Sequence, residues 1–370
     1  MVQRVCAVRN AARREYEHIG DHVQRSALHT STPRAVLHKY YLAVETAGIR
    51  FSSERAGSRD MRMPSIFAHD KTVTQPVVWV TTVTITAFHI GALAALFFFS
   101  WKAFLVAMFL WWLAGGLGIG VGYHRLLTHR GYKTHKWVEY FLTVCGTLTL
   151  EGGPIFWVAT HRMHHQNTDK EGDPHSPRDG GFWAHVGWLL TGQTMHNDAA
   201  NLLPYVPDLR KDKFHVWISR WHWVPITLLG LILLAVGGWK SLLWGIFFRT
   251  VLGLHSTWLV NSATHMWGSR RFPTGDTSKN SFWVALLTFG EGWHNNHHAH
   301  PQSARHGLAW YEFDLNWYGI SVLRMLGLAW DLKAQKLNAV EGKTAAIPGR
   351  LAAGNSAPPL SWGMDENPGR

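Results

Sequence analysis

The sequence predicts an all-α fold: four transmembrane helices in two hairpins, with a cytoplasmic helical cap that holds a histidine-rich metal site. Three observations carry this. Hydrophobic residues make up 46% of the 370 positions, and much of that content falls in long uncharged runs. These runs pair across very short links. The chain also has 24 His, and the densest clusters of them follow apolar segments.

Val77–Phe99 carries no formal charge over 23 residues, and Ala103–Gly122 adds 20 more. A bilayer core about 30 Å thick needs roughly 20 apolar helical residues, so both qualify as spans. Only Ser100, Trp101 and Lys102 separate them, which predicts a tight hairpin. The second hairpin has arms Trp223–Trp239 and Leu242–His265, with its link near Lys240 and Ser241. Each tip carries one lysine (Lys102, Lys240). The segments after the second and fourth spans hold Arg125, Arg130, Lys133 and Lys136, and then Arg270, Arg271 and Lys279. The positive-inside rule puts these segments and both termini in the cytoplasm. Trp101, Trp111, Trp112, Trp239 and Trp244 fall near span ends, as an aromatic belt requires. Arg249 lies inside the fourth span, where a charge is costly; it either snorkels or pairs with a carboxylate. Trp137–Leu150 and Phe182–Leu190 are too short to span and read as interfacial or packed cytoplasmic helices.

Composition sets the limits of the domain. Residues 1–70 lack a sustained apolar period and read as a poorly ordered extension, with Met61 or Met63 as an alternative start. No apolar segment follows a basic start, which excludes a secretory signal. Residues 334–370, rich in Ala, Gly, Pro and charge, read as a disordered tail, leaving 71–333 as the integral-membrane domain. Two cysteines, Cys6 and Cys145, exclude a disulfide framework and a four-Cys zinc site. The formal charge of +12 needs no nucleic acid; anionic lipid or an acidic protein partner accounts for it.

Helix geometry sorts the histidines. At about 100° per residue, positions i, i+3 and i+4 share a face. His161, His164 and His165 therefore aim at one point, and so do His294, His297 and His298. His300 points elsewhere. His124 and His129, five apart, stand about 140° apart on an α-helix, which suits a site at a helix end. Asn261 and His265, at i and i+4, share a face at the end of the fourth span. That makes nine imidazoles, too many for one metal and suited to two with four or five ligands each. Imidazole spacing alone does not choose among Fe, Zn, Cu and Ni. Bis-histidine haem ligation needs opposed single histidines inside a bundle, and a closed zinc site needs four ligands; neither matches. His89, His135, His185, His255 and His306 read as interface residues.

Five segments carry a family resemblance: GYHRLLTHRGY (122–132), WVATHRMHHQNTDKEGDPHS (157–176), HVGWLL (185–190), NSATH (261–265) and GEGWHNNHHAHPQSARHG (290–307). Over Pro76–Lys333 the sequence resembles the membrane-bound fatty-acyl desaturases, in particular their delta-9 branch. The resemblance implies a bent acyl tunnel and a di-iron centre held by His124, His129, His161, His164, His165, His265, His294, His297 and His298. Asn261 would reach one iron through water. It implies O2 as co-substrate, with two hydrogens leaving adjacent carbons and two electrons supplied from outside. Unactivated methylene C–H bonds offer no acidity to a general base, so an O2-derived oxidant is the chemistry expected. Trp157 and Trp258 match substrate-contacting positions, with ordinary interfacial Trp as the alternative. Asp173 and Glu291 are candidates for holding the imidazoles, with turn and capping roles as the alternative.

The sequence also departs from the acyl-CoA branch. Ala159-Thr160 and Gly192 stand where animal acyl-CoA enzymes carry headgroup-binding Arg-Asp and Arg, so the substrate is either an acyl-CoA or an acyl-lipid. No haem-binding electron-carrier domain is expected at either end, the tail being too short and too polar, which implies a separate ferredoxin or cytochrome-b-type donor with its reductase. The competing functions are a histidine-box hydroxylase of alkanes or fatty acids, and a membrane haem or metal carrier.

Overall fold

The computed structural model describes residues 76–191 and 202–335, so the expectations for residues 1–70, for Gly192 and for most of the 334–370 tail fall outside the described residues. What is described is mostly helical. Three helices are long and apolar enough to cross a membrane: Trp79–Leu96, Trp101–Thr128 and Trp223–Met266. On the first, α1 (Trp79–Leu96), Val80, Val83, Ile90 and Leu93 face outward and exposed, a surface that suits hydrocarbon and not water. This is a membrane protein.

The second helix starts as α2 (Trp101–Trp111), capped by Ser100, whose hydroxyl accepts the Ala103 amide. From Trp112 to Thr128 it widens into a π-helix. Glycines 115, 116, 118, 120 and 122 lie along this part, and at 118 and 120 an added Cβ would collide with its neighbours. At Gly118 a Cβ would sit 2.4 Å from the backbone nitrogen of Gly146. That near-contact brings α3 (Lys136–Thr147) against the wide helix. Val121, Tyr123, Leu126, Val138, Leu142, Val158 and Ile320 then close a core beneath the histidines.

α4 (Pro154–Asn167) opens with proline at its first turn, where a missing N–H costs nothing. α5 (Lys213–Arg220) is capped by the Asp212 carboxylate, which accepts the Phe214 and His215 amides. The third long run begins as α6 (Trp223–Leu242). At Gly238 the backbone turns to φ 69, ψ −174, a conformation that favours glycine. The chain reverses there, two residues before the link expected near Lys240 and Ser241. Gly230 faces Leu242 and Ile246, which a straight helix would carry far from it. A short π segment, Leu243–Phe248, leads into α7 (Arg249–Asn261), which breaks at Ser262 before the turn Ala263–Met266.

Arg249 does not snorkel, and it meets no carboxylate among the described residues. It is buried, and its Nε and Nη1 donate to the carbonyls of Gly245 and Leu148 at 3.0 and 2.5 Å. Two further helices, α8 (His294–Ala299) and α9 (Leu315–Met325), complete the histidine side. The sequence shows no sign of a small antiparallel pair, β1 (Lys133–Thr134) and β2 (Ala329–Trp330), that pins the chain after α9 to the exit of the wide helix.

Replacing Gly118 with valine is expected to force α3 off the wide helix and to destabilise the fold by roughly 1–3 kcal/mol, as overpacking does. Thermal unfolding in detergent checks this; an unchanged melting temperature would contradict the close approach.

Candidate metal centre and acyl cavity

Nine imidazoles converge and sort themselves into two groups. His124, His129, His161, His165 and His297 each bring a nitrogen within 4.8 Å of the others. His164, His265, His294 and His298 do the same. The trios therefore do not aim at one point. On α4, His161 and His165 join the first group and His164 the second. On α8, His297 joins the first group and His294 and His298 the second. The cause is angular: i+4 lies about 40° to one side of i and i+3 about 60° to the other. Each helix thus feeds both groups.

His124 and His129 come together for a different reason. The amide of His129 donates to the carbonyl of His124, closing a turn over five residues. In such a π-type turn, i and i+5 fall on the same side of the helix, and the two rings meet edge to face with centroids 4.9 Å apart. A regular α-helix would have parted them.

The nitrogens approach more closely than lone pairs tolerate by themselves. His124 Nε2 and His297 Nε2 are 3.1 Å apart, His297 and His165 2.9 Å, His165 and His161 3.1 Å, and His294 and His265 3.1 Å. Metal–imidazole bonds of about 2.0–2.1 Å at right angles give nitrogen separations of about 3.0 Å. Buried Nε2 atoms of His129, His164 and His298 have no hydrogen-bond partner among the described residues. Burial first, then neighbouring imidazoles, hold His129, His161, His165, His294 and His297 well below the usual histidine pKa. Neutral imidazoles with inward lone pairs are the form a metal takes. The donor set fits two metal ions.

Carboxylates fix the outer face. Glu291 accepts from His124 Nδ1 at 2.5 Å, and Asp173 from His164 Nδ1 at 2.9 Å. Two more were not legible in the sequence. Asp276 accepts from His298 Nδ1 at 2.8 Å. Asp169 lies 3.5 Å from His265 Nδ1, which also meets the Thr277 hydroxyl at 3.2 Å. A carboxylate on Nδ1 fixes the tautomer and leaves Nε2 as ligand. Burial by itself would raise the pKa of these acids. For Glu291, Arg125 and neighbouring histidines reverse that and hold it well below the usual carboxylate range. Fully buried Arg125 binds Glu291 Oε1 through Nε and Nη2 (3.1 and 2.8 Å) and Asp314 through Nη1 (3.0 Å).

Four of the five histidines expected at the interface behave otherwise, while His135 is exposed against Trp330. His306 is buried, its Nδ1 lies 3.1 Å from Glu291, and its ring lies tilted against that of His297, the centroids 4.5 Å apart. His89, His255 and His185 form a chain: Nε2 to Nε2 at 3.0 Å, then Nδ1 to Nε2 at 2.9 Å, ending on the Ser262 hydroxyl at 3.1 Å. It ties α1 and the 183–190 segment to the break after α7. His300 joins neither nitrogen group and lies against the Phe272 ring at 4.9 Å.

The first nitrogen group opens onto space. A cavity of about 790 Å³ runs from α1 past Trp258, Trp157 and Thr160 to His161 and Asn261. A smaller one, about 50 Å³, continues past His124 and Glu291 to Trp111 and Gly115. Trp157, His161, Thr257 and Asn261 line both. Ala159 and Thr160 are buried, with no charge to offer a headgroup.

The fatty acid desaturase family model matches residues 99–321. The chain belongs to the fatty acid desaturase family. The desaturase is 49% identical over 265 residues to an sn-1 stearoyl-lipid 9-desaturase of Anabaena variabilis, covering 71% of this chain and 96% of that one. It is 45% identical over 267 residues to the enzyme of the same name from Synechocystis, covering 72% and 83%. It is 44% identical over 252 residues to an sn-2 palmitoyl-lipid 9-desaturase of Nostoc, covering 68% and 88%. These likenesses put it with the delta-9 branch, and it is an oxidoreductase that desaturates fatty acyl chains.

Removing the carboxylate behind one imidazole should weaken one metal position first. Asp276→Ala, which strips the acceptor from His298, is expected to lower the affinity of the second nitrogen group about 10–100-fold. Chelator competition should then release one of two metal ions early. Release of both ions together, or no change, would contradict the division.

Proposed function

We propose that this desaturase places a cis double bond at the delta-9 position of a saturated acyl chain carried on a membrane lipid. O2 and two electrons from a separate ferredoxin or cytochrome-b-type carrier, with its reductase, complete the reaction. Two hydrogens leave adjacent carbons, and with two electrons and two protons from outside O2 becomes two waters. The observation that carries this reading is the junction of an apolar cavity with the first nitrogen group at His161.

The nine histidines would hold a pair of iron ions, with Asn261 contributing through a water. When bound, the irons supply the oxidising power, drawn from O2, that an unactivated C–H bond requires. The chain does the rest. Asp169, Asp173, Asp276 and Glu291 keep the imidazoles oriented. The cavity walls exclude water from the acyl chain, and Trp157 and Trp258 give it a fixed course past His161. The double-bond position follows from how much chain fits before that point.

The lipid-linked substrate is supported by the names of the relatives above and by the absence of charge at Ala159 and Thr160. A stearoyl-lipid also has its acyl chain where α1 forms the cavity wall, so lateral entry from the bilayer needs no soluble carrier.

Four crossings in two hairpins suit the helices. A straight run of 44 residues would extend about 66 Å, over twice the hydrocarbon thickness, and the reversal at Gly238 divides it into two arms. The basic segments beyond the second and fourth arms then put the histidine side in the cytoplasm.

Expression in a host without desaturation, followed by mass spectrometry of total fatty acids, tests the function. Wild type is expected to give a monoenoic acid two hydrogens lighter, found in glycerolipids, and His165→Ala to fall to background. An acid with one added oxygen would identify a hydroxylase, and product confined to the acyl-CoA pool would overturn the lipid-linked substrate.

A further inference from the structure

A carboxyl group, Glu151, lies on the wall of the acyl cavity outside the histidine clusters. Glu151 sits in the turn between α3 and α4, between Leu150 (φ 66) and Gly152 (φ 97). These two left-handed residues turn its side chain inward, where it lines the large cavity beside Phe156, Trp157 and Thr257. Its Oε2 accepts the Trp157 indole N–H at 2.9 Å, and its Oε1 lies 2.9 Å from the Thr257 hydroxyl. It thereby joins α4 to α7 across the cavity, one turn before His161.

Its surroundings offer no compensating charge. Both hydrogen-bond partners are neutral, and no ion pair to Glu151 forms among the described residues. Burial pushes its pKa up to about 7, and the two hydrogen bonds only partly oppose that. Facing it from the wide helix is the phenol of Tyr123. His161, His175 and His222 line other parts of the cavity. The guanidinium of Arg249 is committed to the carbonyls of Gly245 and Leu148.

We propose that Glu151 is a positioning residue that receives the acyl chain as a neutral carboxylic acid, and that its ionisation excludes the chain. This rests on reading the cavity as the acyl site. The hydrogen bonds permit both forms. As an anion, Glu151 accepts from the indole and from the threonine hydroxyl. As an acid, its carbonyl still accepts from the indole, while its O–H donates to Thr257 Oγ and the threonine proton turns away. What differs is solvation. An empty cavity lets water reach the carboxylate; an acyl chain displaces that water and leaves a bare anion against hydrocarbon. The chain therefore binds the acid form, and by linkage its binding draws a proton onto Glu151.

The sign follows directly. Below about pH 7 the acid form prevails and chain binding is at full strength. Above it, each pH unit weakens binding by up to about tenfold for one linked proton. The effect falls on KM, because a bound chain has already selected the acid. Glutamine mimics the acid: its carbonyl accepts from Trp157, and its amide donates to Thr257.

The test uses the full-length, iron-loaded protein with its electron donor and vesicles of distearoyl-phosphatidylglycerol, between about pH 6 and 8.5. Wild-type KM is expected to rise up to about tenfold per unit above pH 7 with kcat much less affected, and Glu151→Gln is expected to lose that dependence. A flat wild-type KM, or the same slope in Glu151→Gln, overturns the proposal. Should the variant fail to fold, infrared spectroscopy of wild type decides. Adding vesicles of the corresponding dialkyl-ether lipid, which brings no ester carbonyl of its own, at pH 7.5 should increase the carboxylic-acid C=O band, and an unchanged band overturns the proposal. An inactive wild type would strike the acyl-lipid reading itself, whereas an active enzyme with a flat KM strikes only Glu151.

Discussion

Nine buried imidazoles gathered into two tight nitrogen groups form the constraint on which the rest of the structure depends. Lone pairs facing one another at about 3 Å, away from water, repel unless something positive lies between them. The fold supplies everything needed to keep them there. α4 and α8 each carry histidines at i, i+3 and i+4. The wide helix brings His124 and His129 to one side, and the break at Ser262 presents His265. Behind them stand four carboxylates, each held by its own donors. Asp276, for instance, is fastened by the Ser278 amide at 2.9 Å while it grips His298. Glu291 is held by Arg125 and by Asn316 at 2.7 Å. An acceptor fixed in this way cannot follow its imidazole, so the imidazole must stay.

The apolar half answers to the same centre. The wide, glycine-lined helix lets α3 approach closely enough to build a core directly under the histidines. The chain of His89, His255 and His185 binds α1 and the 183–190 segment to Ser262, next to Asn261. Polar groups at that depth are costly unless paired, and these pair in sequence, His89 with His255 and His255 with His185. Arg249 follows the same logic with backbone carbonyls. Cavity and metal centre are thus two faces of one packing arrangement, meeting at Trp157 and His161.

Much of this was legible in the chain, and the failures have physical causes. Apolar runs and short links located the long helices within a few residues. The trios on α4 and α8 were visible because helical spacing is local. That each trio divides between two groups was not, because a shared face of about 100° is wide enough to serve two points. His124 and His129 looked mismatched on α-helical angles, and only a π-type turn reconciles them. Asp169 and Asp276 lie on loops whose paths no periodicity reveals. His306 looked like an interface residue because its partners, Glu291 and His297, come from residues nine and more away across a turn. The reversal fell at Gly238 because backbone at positive φ, and not the nearby lysine, decides where a helix can turn.

Anomalous scattering at the iron edge, from crystals or oriented samples of the iron-loaded protein, tests the central claim most directly. Two separate peaks are predicted, one among His124, His129, His161, His165 and His297, and the other among His164, His265, His294 and His298. A single peak, or iron bound away from both groups, would contradict the account.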